Sequence, residues 1–171
     1  MFSLIGELLA YGTAAHVIAG MLLLGGGIVF AVCGTALALI DLREHRLPNR
    51  IVYPWAGITG VLLILVTFLL TDAAGLGRAV VTGLAWGLLF VLISWIHPPS
   101  IGMGDAKLAV ILGMYTGFLG WGVFASALVL SFLLGGLVST WLLVTKRATS
   151  TSRIAFGPFL IMGAALALVF S

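Results

Sequence analysis

Charge is what this sequence has least of. Eight lysines and arginines and five aspartates and glutamates are spread over 171 residues, of which 62% are hydrophobic. A soluble domain carries about 25% charged and roughly 45–50% apolar residues. The chain therefore cannot cover a water-exposed surface, and a membrane protein is expected. Cysteine is scarcer still: Cys33 stands alone inside an apolar run, which excludes an internal disulfide and a cysteine cage for a metal. One cysteine gives no reading of the redox compartment. Residues 1–24 are almost uncharged, with Glu7 and His16 the exceptions, and lack the basic n-region of a cleavable signal peptide.

What the sequence does have is long apolar runs. Residues 20–40 carry no charge, and 21 residues at about 1.5 Å each cross a hydrocarbon core of roughly 30 Å. Further runs follow at 51–70, 79–96, 106–119, 122–144 and 156–170. They are continuous rather than alternating with period two, which favours helices over a barrel. The expectation is an all-α membrane protein, a polytopic bundle of about six transmembrane helices in contact with the lipid bilayer. The runs at 106–119 and 156–170 hold only 14 and 15 residues, so they are expected to start below the interface or to be re-entrant at one end. Residues 1–19 are expected to form an apolar lead-in, interfacial or helical, with a seventh helix as the alternative. Residues 20–171 are expected to form one transmembrane domain, with no room for a second.

The net charge of +3 would suggest nucleic acid in a soluble protein, but here the basic residues gather in short loops. Threading six spans with residues 41–50 in the cytoplasm puts Arg43, Arg46, Arg50, Lys107, Lys146, Arg147 and Arg153 inside and leaves only Arg78 outside. That asymmetry reads as membrane orientation, and nucleic acid is set aside as a partner. The arginines of DLREHRLPNR (41–50) are thereby explained, but the aspartate that opens the stretch is not.

Of the five carboxylates, Glu7 and Asp72 fall toward the outer side, and Glu44 lies in the cytoplasmic loop. Asp41 closes the first long run, and Asp105 opens the fourth in IGMGDAKLAV. Both stand at one membrane face and at similar depth, on different helices. Ionisable groups at such positions are costly and are retained for pathways or chemistry. If the two meet, like charges a few ångström apart cannot both ionise cheaply, so the pair shares one proton. One carboxylate then serves as base toward a water while the other donates to a carbonyl oxygen, which is peptide hydrolysis without a metal or covalent intermediate. Helix dipoles favour the anion on Asp105, at a helix N-terminus, and the neutral form on Asp41, at a C-terminus. Gly102 and Gly104 bracket Met103 and are expected to supply a backbone able to take φ > 0 and admit a peptide closely. Pro98 and Pro99 are expected to keep the segment before GMGD out of helix.

Three separated motifs, DLREHRLPNR, GMGDAKLA and a late RIAFGPFLIMGA, together resemble the prepilin peptidase family of intramembrane GxGD aspartic proteases. The resemblance implies Asp41 and Asp105 as the catalytic pair, an active site open to the cytoplasm of a bacterial inner membrane, and type IV prepilin or pseudopilin precursors as substrates, cut after a glycine. Gly102, Met103, Gly104 and Glu44 are the candidate substrate contacts. Larger members of the family carry an additional cysteine-containing region linked with methylating the new N-terminus. The short peptidase-only form is expected here, with no cofactor: neither S-adenosylmethionine nor zinc. A rival of a different class is a non-catalytic scaffold or small transporter in which Asp41 and Asp105 pair with arginines or conduct protons. The same protease acting on another membrane-tethered leader is a third reading.

The remaining residues are assigned more ordinary roles. Glu44 is either a contact for a basic leader or a solvated charge, and His45 and His97 either tune the aspartates or are simply solvated. Lys107 reads as an interfacial anchor. Pro48 is expected to end the loop, with Asn49 and Arg50 in the turn, and Phe156-Gly157-Pro158 to start a helix. Trp55, Trp95 and Trp121 read as interface anchors, and Gly83 and Gly87 as a small-xxx-small contact.

Overall fold

The computed structural model describes residues 1–10, 12–96, 102–145 and 155–171. Its elements are α1 (Phe2–Ala10), α2 (Ala14–Glu44), α3 (Asn49–Leu70), α4 (Ala73–Ile96), α5 (Met103–Leu119), α6 (Trp121–Val144) and α7 (Gly157–Val169), with no strand among the described residues. The all-α bundle follows the apolar runs closely. Four helices, α2, α3, α4 and α6, are long and apolar enough to cross a membrane. His97, Pro98 and Pro99, and the basic residues Lys146, Arg147 and Arg153, lie outside the described residues.

The two short runs become α5, of 17 residues, and α7, of 13. At about 1.5 Å per residue α7 reaches only some 20 Å, well short of the bilayer core. α1, at nine residues, is shorter still. A Cβ on Gly20 would sit 3.3 Å from Leu9 Cδ2, and one on Gly27 would sit 3.1 Å from Met1 Cε, so α1 runs antiparallel to α2 over its first half. Along the second half α7 takes over: a Cβ on Gly34 would meet Ile161 Cγ2 at 3.0 Å. The two half-length helices meet where the Met1 amine donates to the carbonyls of Leu168 and Ser171, at 3.1 and 2.9 Å. The lead-in is therefore a separate helix, folded back rather than continuing into α2. Glycines on α2 make the close approach of both helices feasible.

The bundle is built around α5. Ala106, Leu108, Ala109, Ile111, Leu112, Tyr115 and Phe118 are all buried, on every side of the helix. A helix apolar all round belongs inside a bundle, and one wrapped in protein has no need to match the lipid thickness. Its seam with α4 is tight: a Cβ on Gly113 would lie 2.7 Å from Thr82 O and 2.8 Å from Gly83 Cα. Gly83, expected as a contact glycine, faces Val110 O at 3.0 Å in the same sense, and Gly87 faces the Val110 side chain. Across this seam Thr82 Oγ lies 2.8 Å from Gly113 O.

Trp55 corrects one expectation. It is 1% exposed, packed edge-on against Phe30 with ring centroids 5.8 Å apart and tilted against Tyr115, so it ties α2, α3 and α5 together instead of anchoring at an interface. Its position near a span end was misleading because the interior here extends to that depth. Trp95 and Trp121 are exposed, as anchors would be. At the turn between α3 and α4, Asp72 accepts a hydrogen bond from Gly75 N–H at 2.9 Å and pairs with Arg78 at 3.7 Å, capping α4. That carboxylate has a structural role.

Candidate active site

Asp41 lies in the last turn of α2, not beyond it, because nothing in LREH breaks a helix before Leu47-Pro48. The helix stops at His45, which adopts a left-handed conformation at φ 50° and donates its backbone N–H to Asp41 O at 2.9 Å. His is among the few side chains that tolerate this region. Leu47, held extended by the following proline, leads into Pro48, and α3 begins at Asn49. The loop is thus only four residues long, and it returns the chain to the same face directly.

Asp105 lies in the first turn of α5, and Gly102 is the N-cap residue at φ −75° and ψ 147°. Neither Gly102 nor Gly104 takes positive φ; among the described glycines only Gly12 and Gly120 do. The expected backbone freedom is therefore not what these glycines provide. Gly104 is needed for contact: a Cβ there would lie 2.9 Å from Leu47 Cβ, so the DLREHRLPNR loop packs directly onto the GMGD turn. Gly102 has room to spare, its nearest neighbour being Asp105 Oδ2 at 3.9 Å.

The two aspartates are brought together. Asp41 is 5% exposed and Asp105 8%, and both carboxylates converge on Gly157, the first residue of α7. A Cβ there would lie 2.7 Å from Asp41 Oδ2 and 3.7 Å from Asp105 Oδ1, which bounds the separation of those oxygens by the sum of the two distances. The Gly157 N–H donates to Asp41 Oδ2 at 3.1 Å in a buried hydrogen bond. Asp41 accordingly faces two helix ends, the C-terminus of its own α2 and the N-terminus of α7, so the dipole assignment made from α2 alone does not carry over. Two buried carboxylates that approach one another cannot both ionise cheaply. Among the described residues neither has a lysine or arginine in ion-pair contact.

Of the other candidates, Glu44 and Met103 are exposed beside this site, and His45 is exposed at the helix cap. Lys107 is neither a free anchor nor part of the pair: its ammonium donates to Asn49 Oδ1 at 3.0 Å and to Tyr53 OH at 2.9 Å, bridging α5 to α3. Gly157 is the residue that sequence reasoning passed over. Its only signal was the FGP string of the third motif, 116 residues away from the aspartate it touches.

No solved structure matches this chain. Among curated proteins it is 30% identical over 141 residues to the prepilin leader peptidase/N-methyltransferase of Aeromonas hydrophila, covering 78% of this chain and 45% of that protein. It is 33% identical over 156 residues to the protein of the same name from Stutzerimonas stutzeri, covering 87% and 48%, and 34% identical over 160 residues to that of Dickeya chrysanthemi, covering 88% and 52%. The chain spans about half the length of these relatives. Residues 28–140, which include Asp41 and Asp105 and all of α3, α4 and α5, match the type IV leader peptidase family. A membrane bundle that draws two buried aspartates to one point is thus also placed by descent: the chain belongs to the type IV leader peptidase family.

Proposed function

We propose that this protein is an intramembrane aspartic endopeptidase that removes the leader from type IV prepilin or pseudopilin-like precursors at the cytoplasmic face of a bacterial inner membrane. The observation that carries this reading is the convergence of Asp41 and Asp105 on Gly157, in a chain of this family. A pair holding one proton supplies both halves of peptide hydrolysis. The ionised carboxylate takes a proton from a water, whose oxygen bonds to the scissile carbonyl carbon while the protonated partner donates to the carbonyl oxygen. Collapse of the tetrahedral species breaks the C–N bond: the proton taken from water passes to the leaving amine, and a hydroxyl proton of the gem-diol returns to the carboxylate that first donated as the carbonyl re-forms. The pair returns to a single shared proton. Every group in the sequence comes from the two side chains, the water and the substrate.

Gly102, Met103, Gly104 and Glu44 are proposed as the substrate-facing edge, since Met103 and Glu44 are exposed next to the pair. The reading is of a peptidase without methyl transfer, because the groups that converge on Gly157 supply acid–base chemistry. Mass spectrometry of product released by the purified protein in the presence of S-adenosylmethionine should show an unmethylated N-terminus; N-methylated product would overturn that part. Against the scaffold or transporter reading stands the lack of any basic partner for either aspartate among the described residues.

The test is coexpression with candidate prepilin-like precursors. The wild-type chain should convert a precursor to its mature length, while Asp41→Asn and Asp105→Asn should leave it uncut at equal membrane levels. Removal of an acid or base of this kind costs about 10²- to 10⁴-fold. Cleavage that survives either substitution, or a folded wild-type protein that cuts no precursor, would overturn the proposal.

A further inference from the structure

The third motif has so far no task, yet its Gly157 touches both aspartates. Several features fix that glycine in place. Phe156, immediately before it, wedges over Gly135 of α6, where a Cβ would collide with the ring. The same ring packs against Phe90, Phe132 and Phe159, with centroids 5.9, 5.7 and 6.1 Å away. Pro158, just inside the helix, needs no hydrogen-bond partner for its nitrogen and presets the first turn of α7. Further along, Ser131 Oγ lies 3.3 Å from Leu160 O and 2.7 Å from its own-helix Ala127 O, holding α7 against α6. The chain thus enters α7 from an aromatic clamp, and the first free amide points at Asp41.

We propose that the start of α7 is a working part of the catalytic centre, in which the Gly157 amide holds Oδ2 of Asp41 and the Phe156 clamp holds Gly157, making both positioning residues of the aspartate pair. This rests on the proposed peptidase reading. With Oδ2 occupied, Oδ1 is the oxygen of Asp41 left for proton exchange with water or with Asp105. Glycine is required because any Cβ would enter the space between the carboxylates. The amide also stabilises negative charge on the pair as a unit, so its effect appears as a shift of the joint titration that can be read at the Asp41 carboxyl carbon.

Among the described residues, the titratable groups that face Asp41 are Asp105 from α5 and His45 from the cap of α2, and α7 contributes none. Lys107 is turned to Asn49 and Tyr53. The experiment therefore uses a His45→Gln background, full-length protein in detergent, and a synthetic peptide carrying a prepilin leader and the first turns of its hydrophobic helix. Three variants are compared: Gly157→Ala, Phe156→Ala, and an ester at position 157, made by inserting glycolic acid in place of glycine, which removes the one N–H and adds no atom to the side chain. For the ester we expect kcat to fall about tenfold with KM unchanged and the acid limb of the pH profile to move up by about one unit. Gly157→Ala should lose more, and Phe156→Ala should move kcat and the limb in the same direction.

A second readout does not need cleavage. In protein labelled at the aspartate carboxyl carbons, the ¹³C titration of Asp41 should shift upward by a similar amount in the ester, while Asp72 serves as the internal control. An ester with wild-type kcat, an unmoved limb and an unmoved Asp41 titration would overturn the positioning role. A shifted titration in a wild-type protein that cuts neither peptide nor precursor would instead overturn the peptidase reading and leave the contact standing.

Discussion

At the scale of single residues the glycines carry more information than the charges. GMGD holds two of them, and only one is under load. A Cβ on Gly104 would press on Leu47 Cβ, close to the backbone and unable to swing away, whereas a Cβ on Gly102 meets nothing nearer than 3.9 Å. Gly104→Ala is expected to push the 45–48 loop off α5, displacing Asp41 relative to Asp105. Misplacement on the ångström scale costs about 10²-fold in rate, so precursor cleavage should fall by roughly one to two orders of magnitude. Gly102→Ala should stay within about threefold. A hundredfold loss at Gly102 would mean that the substrate backbone itself occupies that space, which is the role first expected of both glycines. Asp41 and Asp105 were legible in the sequence because ionisable groups at span ends are rare and expensive in a chain this apolar. Their partner Gly157 was not, because a missing side chain acquires meaning only when the neighbour it makes room for is known.

At the scale of elements, the seam between α4 and α5 and the bridge from α5 to α3 set where Asp105 sits. Gly113→Ala places a methyl against backbone atoms of Thr82 and Gly83, and overpacking of this kind costs about 1–3 kcal/mol. In α3, Gly57 and Gly60 have nothing within 4 Å of an added Cβ, so alanine there should be neutral or stabilising by up to about 1 kcal/mol. Thermal unfolding of the three purified variants in one detergent checks the contrast: only Gly113→Ala should melt earlier. The Lys107 bridge is a different kind of contact. Its bonds to Asn49 and Tyr53 lie at the exposed edge, and each such bond is worth about 1 kcal/mol. Lys107→Met should therefore slow cleavage by about five- to tenfold with KM little changed, far less than the loss of either aspartate. A loss comparable to Asp105→Asn would show that the ammonium meets the substrate. Run lengths gave the existence and order of the spans, and Gly83 and Gly87 gave the face of α4 that meets α5. They did not give the burial of Trp55, since distance from a span end says nothing about which side of the helix faces lipid. Nor did they give the turn between α1 and α2, where the break falls at Gly12 and Thr13 within one uninterrupted apolar stretch.

On the scale of the whole molecule, two half-length helices share one long one. α7 covers α2 from Asp41 toward its middle, and α1 covers it from there to the start. This division explains how a helix of 13 residues can bring Gly157 to the level of Asp41. It also makes a topological statement that composition alone could not. α1, at nine residues and roughly 14 Å, cannot cross the bilayer, so the turn at Gly12 should lie on the same side as the turns at Thr71 and Gly120, opposite the loop that holds Arg46. In the proposed orientation, which follows the excess of basic residues, Arg46 faces the cytoplasm. In a Cys33→Ala background, single cysteines introduced by Gly12→Cys and Thr71→Cys should react with a membrane-impermeant maleimide added to intact spheroplasts, while Arg46→Cys should react only after the membrane is opened. Labelling of Gly12→Cys and Arg46→Cys from the same side would mean that α2 does not cross the membrane in one pass, and the stacking of α1 and α7 along it would fall with it. Labelling of Arg46→Cys in intact spheroplasts would invert the whole bundle and put the aspartate pair on the outer face, away from newly made precursors.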